Sequence, residues 1–487
     1  MELTDRLKQI VGGQGFFDGP DVLDQFSRDM SFVPHVRPRC VVRPGNSEAV
    51  QGIIRLACES KTPVVPVSSG APRFRGDTVP GIGGAVVMDL SAMKQIVRID
   101  RKNRVAMIEA GVTFEELIPA LKKEGLRLNM PLPPRRSKSV IGSMLEREPV
   151  TMPVFQWDAQ DPLLCTEVYF GTGDRFRTGS AAGPGTIEEQ WNAGQAQLNP
   201  MGPGQFDVAR IVQGSQGTMG VVTWASVRCE VVPESQKSFL VGCTDLGQVA
   251  DFVYKLLWLR DAEHCVLFNN VIVAALAAKD KGEYAALKSS LPPWLFFFSL
   301  AGYQDFPEER IAFQEERIFE AARRFGVQPL ESLSDLSASA LLEILSEPSN
   351  DPYWRIRAKG ACEDIFFLTT LDRTPGFVEI MDDLSAEHGY DRADIGVYMQ
   401  PMVQGTCCHC EFTLSYDSSS LKETGRIRSL SLAAVERLQG AGAFFSRPYG
   451  QWADTVFRRN TEAVNTLRKA KQIFDPCNIM NPGKLCF

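Results

Sequence analysis

Phe474-Asp475-Pro476-Cys477-Asn478-Ile479-Met480-Asn481-Pro482-Gly483-Lys484 follows a helical segment and stops three residues before the chain does. Taken by itself the run could merely end a helix, since Pro and Gly after Phe474 are ordinary stop signals. Its weight comes from a second stretch far upstream, Pro63-Val64-Val65-Pro66-Val67-Ser68-Ser69-Gly70-Ala71-Pro72-Arg73-Phe74-Arg75-Gly76, a β-rich run that breaks into a small-residue loop. Small residues let a backbone approach a ligand closely, and a nest of N–H groups holds negative charge without a helix terminus.

The surroundings of that loop read as βαβ. Cys40-Val41-Val42 is a strand, Ser47 to Cys58 has apolar positions at helical spacing with Ser47 as N-cap, and Pro63 to Val67 is the next strand. Strands follow at 84–90, 95–99 and 105–110, then a helix from Thr113 to Glu124 with Thr113 and Glu116 spaced for a capping box. No G-x-G-x-x-G run sits at a strand–helix turn, which argues against a nicotinamide fold. Gly179 to Gly204, rich in Gly, Ala, Pro, Asn and Gln around Trp191, reads as a loop, and a strand pair is expected to bracket Gly214–Thr223. From 236 to 440 helices near 245–260, 306–325, 376–388 and 421–438 alternate with strands near 264–271, 294–301, 395–402 and 408–416, a pattern suited to an antiparallel sheet covered on one face.

A chain of 487 residues is too long for one ordinary core and has room to bury a large cofactor. Its formal charge is −7, from 52 basic and 59 acidic residues without long single-sign runs, which excludes nucleic acid and anionic membrane as natural partners. The N-terminal Met1–Val11 reads as a short amphipathic helix without the apolar core of a signal peptide. No apolar run reaches the roughly 20 residues of a membrane span, so a soluble cytoplasmic protein is expected. Of twelve cysteines only Cys407, Cys408 and Cys410 cluster, without iron–sulfur spacing, and buried inert thiols are expected.

Four motifs in order resemble the vanillyl-alcohol oxidase/p-cresol methylhydroxylase superfamily of flavoproteins. They are the loop after Val67, Ser139-Val-Ile-Gly-Ser-Met-Leu-Glu-Arg147, Asp161–Gly179 and Gly214-Ser-Gln-Gly-Thr-Met-Gly-Val-Val-Thr223, and the C-terminal run adds to them. The resemblance implies an α+β fold: a two-part FAD-binding domain over 1–235 and 441–487, and an antiparallel-sheet substrate (cap) domain over 236–440. It implies FAD contacts at Pro66, Ser68, Ser69, Gly70, Ala71, Pro72, Ser139, Gly142, Ser143, Asp161, Gly214, Gly217, Gly220, Val221, Asn481 and Lys484. Glu146 would lie beside the flavin ring as an acid/base or charge-tuning group. The chain departs from the phenol-oxidising pattern where the family's Asn is Ser143 and its following glycine is Glu148.

The substrate end departs further. Ungapped alignment puts Arg75 at one family tyrosine and Ser446-Arg447 at the Tyr-Arg pair, so two guanidiniums suggest a carboxylate-like anion, which a planar fork can bind bidentately. Only four histidines exist, His35, His264, His388 and His409. The metal-binding histidine runs of glycolate- and D-lactate-type relatives have no counterpart, so no metal site is expected. His409 falls, within one residue, where phenol-oxidising relatives bond a histidine to the flavin, which leaves covalent attachment and a plain strand histidine both open.

These readings converge on an FAD-dependent oxidoreductase that takes a hydride from a hydroxyl-bearing or benzylic carbon of an aromatic or small organic acid or alcohol. Two alternatives stay open: a flavoprotein subunit of a 2-hydroxy-acid dehydrogenase complex, and a non-catalytic electron-transfer subunit. The partners expected are an anionic small-molecule substrate, an electron-acceptor protein and further subunits of the same or another chain.

Overall fold

The computed structural model describes residues 2–155, 161–202 and 207–487. A small sheet is built first, from β1 (Phe16–Phe17), β2 (Cys40–Val42), β3 (Val64–Val67) and β4 (Val86–Asp89) in the order β1-β2-β4-β3. β2 and β3 both run parallel to β4, with the helix Ser47–Ser60 making the crossover. That helix is capped by Asn46, whose side chain accepts from the Ala49 N–H, and Ser47 is its first residue rather than its cap.

β3 is the edge strand, and the chain terminus completes it. Met480 bridges Val64 in parallel, with Val64 N–H donating to Ile479 O at 2.7 Å and Asn481 N–H to Val64 O at 2.8 Å. A disulfide between Cys58 and Cys477 fixes the same joint, with Cα atoms 5.8 Å apart. This corrects the expectation of inert thiols throughout; eight of the other ten cysteines are buried and free. The pairing was hidden because the two cysteines are 419 residues apart.

A second sheet comprises β5 (Ile96–Asp100), β6 (Val105–Glu109), β7 (Leu126–Leu128), β8 (Leu163–Phe170), β9 (Arg175–Arg177) and β10 (Gly220–Val231), ordered β5-β6-β10-β8-β9 with β7 also on β10. The helix Phe114–Lys123 packs on it behind the expected Thr113/Glu116 capping box. Two expectations need correction. The Gly214 motif is preceded by a helical turn, Ala209–Val212, and runs directly into the single long strand β10 instead of lying between two strands. The Gly179–Gly204 segment contains a helix, Ile187–Asn192, started by its own Thr186/Glu189 capping box. Gly204 itself, like Met1, lies outside the described residues.

The third sheet is antiparallel throughout. β11 (Ser235–Cys243), β12 (Cys265–Asn269), β13 (Trp294–Gly302), β16 (Ala361–Thr369), β17 (Ile395–Met402) and β18 (Cys407–Tyr416) take the order β11-β13-β12-β17-β18-β16. A separate hairpin pairs β14 (Ser332–Leu333) with β15 (Leu336–Ser337). One face of the sheet is closed by the helices Leu246–Leu259, Pro307–Phe325, Thr374–Glu387 and Leu421–Gly440. The other face is divided. Leu240, Val266, Phe268, Leu295 and Phe297 pack under Asn270–Ala277 and Ala338–Leu345, while the β16–β18 end carries polar groups. Asn270–Ala277 escaped the periodicity reading because Val271 through Leu276 are all buried, leaving no polar stripe. Among the described residues no helix is long and apolar enough to cross a membrane.

Candidate active site

Two cavities meet where the first two sheets face the polar end of the third. The first is lined by Pro66, Ser68, Ser69, Gly142, Gly214, Gly217, Gly220 and Val221 together with Ala110, Ile141 and Tyr449. Its glycines are required by close approach as much as by flexibility. A Cβ on Gly217, whose φ is +70°, would come within 2.5 Å of the Pro66 ring, and one on Gly220 within 2.5 Å of Tyr169 O. The second is a charged chamber containing Arg75, Glu146, Glu148 and Arg447. Ser69, Asp77, Thr78 and Glu146 line both, so the cavities adjoin.

Several expected residues stand behind the walls. Ser139 caps the helix Val140–Leu145, accepting from Gly142 N–H and donating to Ala110 O at 2.6 Å, and so fixes the turn that presents Gly142. Gly70 donates its N–H to Ser137 O, and neither Gly70, Ala71 nor Pro72 lines the cavity. Asp161 accepts from Gln213 and from the Leu163 N–H, away from both cavities. Asn481 donates from Nδ2 to Asp77 O and Gln216 O, both at 2.7 Å, bringing the C-terminal run to two cavity-lining residues. Lys484 is buried near Asp77 and Asp29, and burial lowers its pKa.

The departures from the family pattern come together in the chamber. Arg75 holds Glu146 at 2.5 Å through Nη1 and Glu148 at 3.1 Å through Nη2, with its guanidinium over the rings of Phe366 and Tyr449. Lys138 makes a short ion pair with the other oxygen of Glu146, and Ser143 donates to Glu148. Burial opposes ionisation of Glu148, yet Lys138, Arg75 and the Ser143 bond hold its pKa at about 2. Ser143 and Glu148 are thus a compensated pair, and both arms of the Arg75 fork are occupied.

Arg447 is differently placed. It is 4% exposed, donates to the Glu146 carbonyl at 2.9 Å, lies over Phe366 at 4.6 Å, and has no carboxylate within 4 Å among the described residues. Burial, followed by the nearby charge of Arg75, brings its pKa down to about 10, which leaves it protonated at neutral pH. Its Nη2 faces His409 Nδ1 at 3.4 Å. A guanidinium can only donate, so Nδ1 accepts and Nε2 carries the proton given to Glu411 at 3.2 Å. Both ring nitrogens of His409 are engaged behind Arg447. Burial lowers the imidazole's pKa and favours this neutral form. Glu411 pairs in turn with Arg355 at 2.6 Å, and Arg355 with Asp364 at 2.8 Å.

Sequence reasoning missed Asp77, Thr78, Arg135, Lys138, Tyr353, Arg355, Asp364, Tyr398, Glu411 and Tyr449, all of which line one cavity or both. Glu411 could have been found, since a strand brings residues two apart to one face and His409 was already marked. Arg355 and Tyr353 lie in a stretch with no motif to flag them. Among the described residues no three His, Cys, Asp or Glu side chains are grouped to hold a metal ion.

Comparison with known proteins agrees with this geometry. Residues 38–179 match the FAD binding domain family, and residues 454–485 match the C-terminal domain of FAD linked oxidases. The chain is an FAD-linked oxidoreductase that carries both of these domains. The oxidoreductase is 23% identical to glycolate oxidase subunit GlcD of Bacillus subtilis over 99% of this chain and 96% of that one. It is 25% identical to a D-lactate dehydrogenase of Anaerostipes hadrus over 100% and 97%. In fold it superposes on substrate-bound p-cresol methylhydroxylase with a TM-score of 0.87 at 17% identity, covering 100% of this chain and 96% of the other. The 4-ethylphenol oxidase of Gulosibacter chungangensis gives 0.84 at 18% identity, over 99% and 96%.

FAD is the cofactor of this family, and the first cavity suits it. Apart from Asp77, Glu146 and Gln216 the walls there are small or apolar, and among the described residues two buried polar atoms at this place lack hydrogen-bond partners: Thr78 Oγ1, which lines the cavity, and Asn481 Oδ1, beside it. Buried polar atoms of this kind call for a ligand or water partner.

Proposed function

We propose that this flavoprotein oxidises a small anionic hydroxy compound, an aromatic or aliphatic acid or alcohol, by taking a hydride from the carbon that bears or adjoins the hydroxyl. The observation that carries the reading is Arg447, a buried guanidinium without a carboxylate partner among the described residues, in a chamber that adjoins the FAD-type cavity at Glu146. FAD, when bound, supplies the hydride acceptor. Arg447 binds the anionic end of the substrate, with the neutral His409 and Glu411 fixing its orientation. Glu146 contributes negative charge at the junction of the two cavities, oriented by Arg75 and Lys138. With both nitrogens of His409 engaged, this reading holds the flavin non-covalently at that position.

In the same reading, residues 1–235 and 441–487 form the FAD-binding part and 236–440 the substrate-facing part. An electron-acceptor protein, further subunits and a cytoplasmic setting belong to it as well. Relatives named for glycolate and D-lactate cover the chain end to end and support a 2-hydroxy acid as the second candidate. Anaerobic mixing of the holoprotein with hydroxy acids and phenolic alcohols tests all three functions. Bleaching by phenolic alcohols or by 2-hydroxy acids separates the first two, and a flavin that none reduces would leave the electron-transfer subunit.

A further inference from the structure

Six cations and five carboxylates line the chamber. Three of the cations have acidic partners: Arg75 has Glu146 and Glu148, Lys138 has Glu146, and Arg355 has Asp364 and Glu411. Arg73 turns away, giving Nη2 to Gln25 O at 2.7 Å and stacking on Phe26. Two remain, Arg447 and Arg135. Among the described residues the Arg135 guanidinium has no carboxylate within 4 Å, and its hydrogen bonds run from Nε and Nη2 to Gly70 O, both at the long limit of 3.4 Å. Its guanidinium lies 5.7 Å from the Phe74 ring, which in turn meets the Tyr353 ring at 5.5 Å between centroids. A partly desolvated cation with no counter-ion is costly, and burial lowers its pKa accordingly.

The two guanidiniums occupy different ends. Arg447 sits on the Glu146 carbonyl beside His409 and Phe366, whereas Arg135 sits beside the Gly70 loop and Phe74, with the Arg75–Glu146–Glu148 cluster influencing both. Building on the hydroxy-compound reading above, we infer that Arg135 is a second anion anchor and that the substrate is dianionic, with one anionic group at Arg447 and another at Arg135. Hydroxy-dicarboxylates have this chemistry, and carboxylate-bearing phenols acquire it when the phenol ionises against one of the guanidiniums. Arg135 takes the clamp role expected of Arg75, whose fork is already filled.

The test pairs each dianion with its monoanionic relative on intact holoenzyme: D-malate with D-lactate for flavin reduction, and terephthalate with benzoate for binding, read as perturbation of the flavin spectrum. Wild type should prefer the dianion in at least one pair by about tenfold or more, the scale of a charge-assisted contact. Arg135→Met should erase that preference while FAD content stays at wild-type level, and Arg135→Lys should retain part of it. If the Met variant does not fold, Arg135→Gln is read the same way. Loss of FAD from a folded Arg135 variant would assign the residue to the cofactor phosphates and overturn the inference, as would an unchanged preference. A wild type reduced by D-lactate but showing no dianion preference would overturn the second anchor and leave the hydroxy-acid reading standing. A wild type that no compound binds or reduces would overturn both.

Discussion

Replacing Arg75 by Met would leave Glu146 and Glu148 to share the single charge of Lys138. Two unit charges 4 Å apart interact by about 4 kcal/mol at an effective dielectric near 20, and losing one partner of a buried ion pair costs about 3–5 kcal/mol. The side chains of Arg75, Glu146 and Glu148 are each about one-fifth exposed, which reduces this to about 2–4 kcal/mol. Glu148 gives an independent figure. Its pKa is depressed from 4.5 to about 2, so its stabilising contribution is full above pH 4.5 and fades as pH falls toward 2, amounting to about 3 kcal/mol. Arg75→Met and Glu148→Gln should therefore each destabilise the protein, while the double variant, which restores one anion to one cation, should be less destabilised than their sum by about 2 kcal/mol. Urea unfolding of the four holoproteins at pH 7 with excess FAD measures this cycle. Additivity within about 0.5 kcal/mol would refute the claim that Arg75 is internally neutralised.

Glu146→Gln should retain FAD and slow flavin reduction at least about tenfold; unchanged kinetics would remove Glu146 from the mechanism. Cys58→Ser should loosen the C-terminal run from β3, lowering stability by about 2–4 kcal/mol and speeding FAD release, with dithiothreitol reproducing the effect in wild type but not in the variant. Buried Glu363 has its pKa raised to about 8 by burial and then by Asp364. Its neutral form is the one the fold favours, so wild type loses stability as pH rises from about 4.5 to 8. Glu363→Gln should match wild type at pH 4.5 and exceed it above pH 8 by up to about 4–5 kcal/mol, read by thermal unfolding across pH.

The cofactor half was legible because its chemistry lives in backbone. Glycines that must lie close to Pro66 or Tyr169 O leave a spaced signature, and so does a terminus that completes β3. The substrate half is written in side-chain pairs. Ser143 and Glu148 look like two defects in a motif until Arg75 and Lys138 are seen to meet them, and none of the four is interpretable alone. Arg135 and Arg355 carry no local pattern at all; what marks them is the presence or absence of a carboxylate from another segment. His409 needed the strand register, which places His409, Glu411 and Thr413 on one face and Cys408, Cys410 and Phe412 on the other.

The central claim is that Arg447 presents an anionic substrate to the flavin. Anaerobic flavin reduction of wild type and Arg447→Met, each with an anionic substrate and with its neutral amide or ester, tests it most directly. The account predicts a loss on the order of 30- to 1000-fold in the second-order rate constant for the anion, corresponding to about 2–4 kcal/mol, and much less for the neutral analogue. Equal losses for both, with FAD still bound, would contradict it.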